Sequence, residues 1–230
     1  MVKNIIFDLD DTLCDYSGAK ERAIGELTKI LDERNINSKM FWEKYKEIEP
    51  KLFEKFALKE ITKEEYRRRR YLDIFNLIDN SIPNKEELTK NMNETYMDIA
   101  NNKIELFPEV ANILTELKKK SIKLIVLTNG PVDGQKNKVR ITNLDKYIDE
   151  FYYSEVIGYA KPQKEAYEYV LKESRILMDE TIMIGDSVIQ DFKEPQELGI
   201  KSYLIDRENK HIEIDESNKL KSINDVLNII

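Results

Sequence analysis

The stretch Val2-Lys3-Asn4-Ile5-Ile6-Phe7-Asp8-Leu9-Asp10-Asp11-Thr12 decides how the rest of the chain is read. Its first half is a short, β-branched apolar run and its second half a polar, turn-forming cluster of acids, the form of a buried strand that stops at charge. Residues 121–127, 150–154, 181–185 and 201–205 repeat that form and complete a set of five expected strands. Between them lie helical patterns: Val110, Ile113, Leu114 and Leu117 on one face, then Ala166, Tyr167, Val170 and Leu171, then a short helix before Gly199. Nearly continuous apolar strands alternating with amphipathic helices predict a doubly wound, Rossmann-like parallel α/β sheet covered on both faces.

One connection breaks the alternation. The span between the first two strands far exceeds an ordinary crossover, and its apolar residues recur at helical spacing: Phe41, Tyr45, Ile48, Leu52 and Phe56, then Tyr71, Ile74, Phe75 and Ile78, then Leu88, Met92, Tyr96 and Ile99. This predicts an inserted all-helical bundle of about four helices with its own core over 17–101, with 1–16 and 102–230 forming the α/β core. Pro50 is expected to kink or split the first of these patterns, and Phe107-Pro108 to restart the core, proline suiting the first turn of a helix.

Composition narrows the functions that such a fold can carry. The 230 residues hold 37 Lys plus Arg and 44 Asp plus Glu, a formal charge of −7. The overall field therefore disfavours a nucleic acid polymer as partner. One cysteine, Cys14, excludes an internal disulfide, and with the single His211 it cannot make the usual zinc site. The apolar run at the start is too short for a signal peptide and no stretch is long enough to span a bilayer, so a cytoplasmic setting without a membrane partner is expected.

In open α/β sheets ligands collect beyond the carboxyl ends of the strands. The first strand ends in Asp8-Leu9-Asp10-Asp11-Thr12, the second in Thr128-Asn129-Gly130, the fourth in Gly185-Asp186-Ser187 with Asp191 shortly after, and Lys161-Pro162 follows the third. Carboxylates gathered so closely raise one another's pKa unless a cation neutralises them. Magnesium, Mg2+, suits an all-oxygen shell of carboxylates, a carbonyl, waters and phosphate oxygens. An acidic edge would then bind an anion, with Lys161 and Thr128 as further donors. Asp8 would be free to attack phosphorus while Asp10 protonates the leaving alcohol.

These motifs resemble those of the haloacid dehalogenase (HAD) superfamily, in the subfamily I branch with a helical cap inserted after the first motif. The first motif, Asp-x-Asp-x-Thr, stands as Asp8 to Thr12; the second is Thr128, the third Lys161, and the fourth Gly185-Asp186 to Asp191. The gap before Thr128 accommodates the cap, and the gap from Thr128 to Lys161 leaves no room for the alternative one. The resemblance implies an aspartyl-phosphate on Asp8 and acid then base duty for Asp10. It implies magnesium held by Asp8, the Asp10 carbonyl and Asp186, with Asp191 supporting by orienting Lys161 or through water. Thr128 and the Asn129 amide would hold the phosphate. Family dehalogenases lack the second aspartate of the first motif, so Asp10 favours phosphoryl chemistry. Thr128-Asn129-Gly130 followed by Gln135 and Lys138 is similar to phosphatases of nucleoside 5'-monophosphates and acyl-sugar phosphates, the latter including acylneuraminate phosphates. The expected partner is thus a small phosphorylated metabolite, and the expected state a monomer or homodimer. Rival readings are a sugar phosphomutase, a haloacid dehalogenase and a non-catalytic metabolite-binding protein.

Several residues have plainer readings. Four consecutive helical residues, Arg67 to Arg70, point around the whole cylinder, so a solvated face pairing with Glu64 and Glu65 is expected rather than a substrate clamp. Trp42, Tyr45, Phe53 and Phe56 are expected in the cap's own core. Cys14 is expected to pack, Ser187 to serve equally as a helix N-cap or a ligand, and His211 receives no role.

Overall fold

A computed structural model describes residues 1–79 and 81–230. In chain order its elements begin with β1 (Asn4–Phe7), α1 (Tyr16–Asp32), α2 (Ser38–Ala57), α3 (Lys63–Ile78), α4 (Lys85–Asn102) and α5 (Val110–Lys119). Then come β2 (Lys123–Thr128), α6 (Val132–Thr142), β3 (Glu150–Tyr153), α7 (Ser154–Ile157), α8 (Lys164–Glu173) and β4 (Thr181–Gly185). A π-helical turn (Val188–Lys193), α9 (Glu194–Glu197), β5 (Lys201–Ile205) and β6 (Lys219–Leu220) complete the order. The chain divides into two compact units, Met1–Ser17 with Ile104–Ile230, and Gly18–Lys103. Among the described residues no helix is long and apolar enough to cross a membrane.

The first unit is built on one six-stranded parallel sheet in the order β3-β2-β1-β4-β5-β6. Its strands are apolar on both faces because both are covered. Ile6, Ile125, Leu127 and Met183 pack with Ala166, Tyr167 and Val170 of α8 on one face. Ile5, Phe7, Leu124, Val126, Ile182 and Ile184, the opposite parity, are buried as well. Each large side chain so buried contributes roughly 1.5–3 kcal/mol. The sixth strand escapes a reading by periodicity because two residues cannot show alternation; Lys219 pairs with Leu204 and Leu220 with Ile205.

The register explains why the motifs meet. Phe7 lies level with Val126 on one side and Ile184 on the other, so the residues that follow, Asp8, Thr128 and Asp186, leave three neighbouring strands at nearly the same height. β1 sits where the strand order reverses, the position at which open α/β sheets leave a crevice.

In the second unit α1 buries Ala19, Ala23, Leu27 and Leu31, and α4 buries Leu88, Met92, Tyr96 and Ile99, each a one-sided stripe. Asn37 and Thr62 cap α2 and α3 by accepting from the N–H groups of Met40 and Glu65. Of the two outcomes expected at Pro50, a kink or a split, the split does not occur: α2 runs unbroken through it. Phe41, Tyr45, Leu52 and Phe56 are buried on either side of it, and four such burials at roughly 1.5–3 kcal/mol each outweigh the ~3 kcal/mol penalty of an interior proline.

The aromatic residues of this unit pack on one another: Phe41 against Phe75 at 5.0 Å, Tyr45 on Tyr71 at 5.8 Å, and Phe56 on Tyr66 at 5.5 Å between ring centres. Trp42 Nε1 donates to Thr28 Oγ1 at 2.8 Å. The arginine run divides. Arg68 pairs with Glu86, and Arg69 with Glu65 and Asp73. Arg70 departs from the solvated face expected of the run: it is 3% exposed, donates twice to Asn93 Oδ1 at 2.9 and 2.7 Å, and lies 4.5 and 4.8 Å from the ring centres of Tyr96 and Tyr71. One residue in four must face inward on a packed helix, and cation–π contact lets a guanidinium be that residue.

Candidate active site

Asp8 follows β1, its N–H donating to Ile184 O at 2.9 Å. Lys161, 2% exposed, places Nζ 2.7 Å from Asp8 Oδ1 and 2.7 Å from Asp191 Oδ1. Burial by itself would lower the pKa of this ammonium, but Asp191 and Asp8 outweigh it and raise the value above the ordinary lysine range. Asp191 is itself 1% exposed, and its second oxygen accepts the Ser187 N–H at 3.0 Å. The Gly-Asp pair of the fourth motif has a steric reason. A Cβ at Gly185 would stand 2.3 Å from Asp191 Cγ, so only glycine lets Asp191 reach under Lys161.

Asp8, Asp186 and Asp191 each offer a carboxylate oxygen, and these atoms lie within 4.8 Å of one another. Burial drives the Asp8 carboxyl well above its usual range; Lys161 offsets part of this, while Asp191, Asp186 and Asp10 add to it. Asp186 is pushed up to about 7 by burial and by Asp191 and Asp11. Crowded, desolvated acids of this kind call for a cation. Three oxygen donors with no sulfur or imidazole fit a hard divalent ion, so the residues present suit the metal that the fold family implies.

The Asp10 carboxylate is not in this trio. Lys138 Nζ donates to both of its oxygens at 2.6 and 2.8 Å, and Gln135 Nε2 donates to Oδ2 at 3.0 Å. The Asn129 side chain is likewise committed: Nδ2 donates to Lys161 O at 2.6 Å and to Gln190 Oε1 at 3.2 Å, and Oδ1 accepts the Lys161 N–H at 2.9 Å. It thus shapes the lysine loop. Thr128 Oγ1 accepts from Gln135 Nε2 at 2.7 Å, which leaves its own proton to donate onward.

Ser187 Oγ accepts the Gln190 N–H at 3.2 Å, the N-cap option of the two expected for it. Cys14 is fully buried; burial first, and Asp10 next, raise its thiol far above the range in which it ionises. A cleft of about 300 Å³ opens beside Asp186, lined also by Asp11, Ser17, Arg207 and His211. A cavity of about 670 Å³ in the helical unit holds none of the motif residues. Gln135 and Lys138 are the residues that motif reading assigned to substrate class alone. Their spacing of three on one helix, with both side chains polar inside an α/β core, was the available signal.

Residues 2–199 match the haloacid dehalogenase-like hydrolase family. The chain belongs to that family. It is 28% identical to a glyceraldehyde 3-phosphate phosphatase of Methanocaldococcus jannaschii, over 100% of this chain and 97% of that protein. It is 24% identical to a pyrimidine 5'-nucleotidase of Streptococcus pneumoniae, over 86% of this chain and 81% of the relative. Among solved structures, the HAD-hydrolase YfnB of Bacillus subtilis bound to magnesium superposes with a TM-score of 0.79 at 22% identity, covering 99% of this chain and 98% of that one. The shared fold is therefore that of this HAD hydrolase.

Proposed function

We propose that this chain is a magnesium-dependent phosphomonoesterase acting on a small phosphorylated metabolite through an aspartyl-phosphate on Asp8. The observation that carries the reading is the pairing of two acids with different surroundings two residues apart: Asp8 joined to Lys161 at 2.7 Å beside Asp186 and Asp191, and Asp10 turned away onto Lys138 and Gln135. Two carboxyl groups whose environments differ in this way suit nucleophile and proton carrier. Relatives named as phosphatases of a triose phosphate and of pyrimidine nucleotides support a sugar phosphate or nucleoside monophosphate as substrate.

Asp8 and Asp186, with the main-chain carbonyl of Asp10, would hold magnesium, which when bound neutralises charge on the phosphoryl oxygens and on the crowded carboxylates. Lys161, held by Asp191, keeps Asp8 aimed and adds positive charge beside the transferred group. Thr128 Oγ and the Asn129 main-chain N–H donate to phosphate oxygens. An Asp8 oxygen attacks phosphorus as the bond to the ester oxygen breaks, and Asp10 gives that oxygen its proton, releasing the alcohol. Asp10 then takes a proton from water, whose oxygen attacks phosphorus; the bond to Asp8 breaks, and inorganic phosphate leaves.

The test is a panel of phosphorylated metabolites and an aryl phosphate with added magnesium. Asp8→Ala should lose at least ~100-fold in hydrolysis, the scale of a missing nucleophile. Full activity in Asp8→Ala, or undiminished turnover after chelation without added metal, would sink the mechanism.

A further inference from the structure

Gln135 and Lys138 stand three residues apart on α6, hence on one face, and both are buried, at 1% and 3% exposure. Lys138 touches both Asp10 oxygens and rests 3.8 Å from the centre of the Tyr16 ring. The two N–H groups of Gln135 go to Asp10 Oδ2 and Thr128 Oγ1. Its Oε1 is buried without a hydrogen-bond partner among the described residues. A Cβ at Gly130 would stand 2.2 Å from Gln135 Nε2, so the carboxamide fills the space a side chain there would take. Apolar residues could fill such interior positions without this desolvation. What this arrangement provides instead is a fixed Asp10.

We propose that Lys138 and Gln135 are positioning residues for the reaction. They hold the Asp10 carboxyl in the one orientation from which it delivers its proton to the departing oxygen, and they tie that orientation to the phosphate-binding hydroxyl of Thr128. The inference rests on the phosphomonoesterase reading above. Three donors on a group with about four acceptor positions leave room for one further partner, the transferred proton. Because Thr128 Oγ1 already accepts from Gln135, its hydroxyl proton must point elsewhere, toward a bound anion. Gly130 takes part by leaving space.

Proton delivery matters for a poor leaving group and little for a good one, which separates this role from general structural damage. The readout is kcat/KM, which reports on steps up to ester cleavage, for an alkyl phosphate (glycerol phosphate) and for p-nitrophenyl phosphate. Lys138→Met should lower the alkyl value by ~10- to 100-fold, as misplacement of a catalytic group does, and the aryl value by less than about 3-fold; Gln135→Leu and Gly130→Ala, which also release Thr128 Oγ1, should lower both values, the alkyl value by roughly 10-fold more than the aryl value. Lys138→Arg should recover part of the alkyl activity. In an Asp10→Asn background Lys138→Met should add less than about 3-fold, since two groups acting through one carboxyl do not add.

Equal losses on both esters, a full further loss in the Asp10→Asn background, or no loss at all would overturn the proposal. Should Lys138→Met melt before assay, Gly130→Ala carries the same comparison, since it displaces only the flexible end of Gln135. A wild-type protein that hydrolyses neither these esters nor the metabolite panel would refute the phosphomonoesterase reading itself. Asp10-dependent hydrolysis that ignores residues 130, 135 and 138 would refute this inference alone.

Discussion

A single methyl group at position 185 should reach Asp8 through two ion-pair contacts. In Gly185→Ala the new carbon would lie 2.3 Å from both Cγ and Oδ2 of Asp191 and 2.5 Å from its Cβ. Asp191 cannot swing aside cheaply, because it is 1% exposed and its two oxygens hold Lys161 Nζ at 2.7 Å and the Ser187 N–H at 3.0 Å. Relief of about 1 Å must therefore come from moving the carboxylate, and Lys161 follows, drawing away from Asp8. Overpacking of this kind costs about 1–3 kcal/mol, equivalent to a melting point roughly 2–12 °C lower for a chain of this size. Misplacing a reacting group by about 1 Å costs ~100-fold in rate. The assay is turnover of an aryl phosphate alongside thermal melting. Gly25→Ala is the matched control: a Cβ there meets nothing within 4 Å, in the middle of α1. That change should leave turnover intact and raise stability by about 0.5–1 kcal/mol. Wild-type turnover and melting in Gly185→Ala would refute the claim that Asp191 is held rigidly under Lys161.

Three further outcomes test other parts of the molecule. Asp206 is buried, which would raise its pKa, yet the N–H groups of His211 and Lys210 donate to it and Lys219 stands 3.9 Å away, so the net shift is downward. A carboxyl with a lower pKa folded than unfolded stabilises above the unfolded value, near 3.9, and loses that contribution as pH falls through the folded value. Asp206→Asn should accordingly melt lower than wild type at pH 7, with the gap closing below about pH 4; a gap constant with pH would contradict this. Arg70→Ala should cost about 2–4 kcal/mol, from the orphaned Asn93 Oδ1 and the lost contact with Tyr66, Tyr71 and Tyr96, measurable as a lower melting temperature. Arg68→Ala, at the surface, should leave the melting temperature unchanged.

Much of the fold was legible locally. β1, β2, β3, β4 and β5 announce themselves as β-branched or aromatic runs ending in polar residues, because both faces of each must be covered. The helical insertion showed as a change of period from strand-like to helical. Asp8, Thr128, Lys161 and Asp186 could be placed at one edge of the sheet because parallel strands deliver their ends there, so order along the chain was enough. β6 was invisible because two residues carry no period. That α2 runs on past Pro50 was not legible, because the local penalty of a proline does not show the burial on both sides that keeps the helix continuous.

Sequence by itself determined which residue types stand at the strand ends, and so the family and the class of chemistry, since both follow from patterns a few residues long. Tertiary structure alone decided how those residues are held. Gly185 needs to be glycine because of Asp191, Gly130 because of Gln135, and Asp10 faces Lys138 rather than the other acids. Arg70 alone of its run lies buried among tyrosines of two helices. Each of these is a fit between side chains at ångström range, set by strand register and helix rotation, and no period in the sequence encodes a distance of that kind.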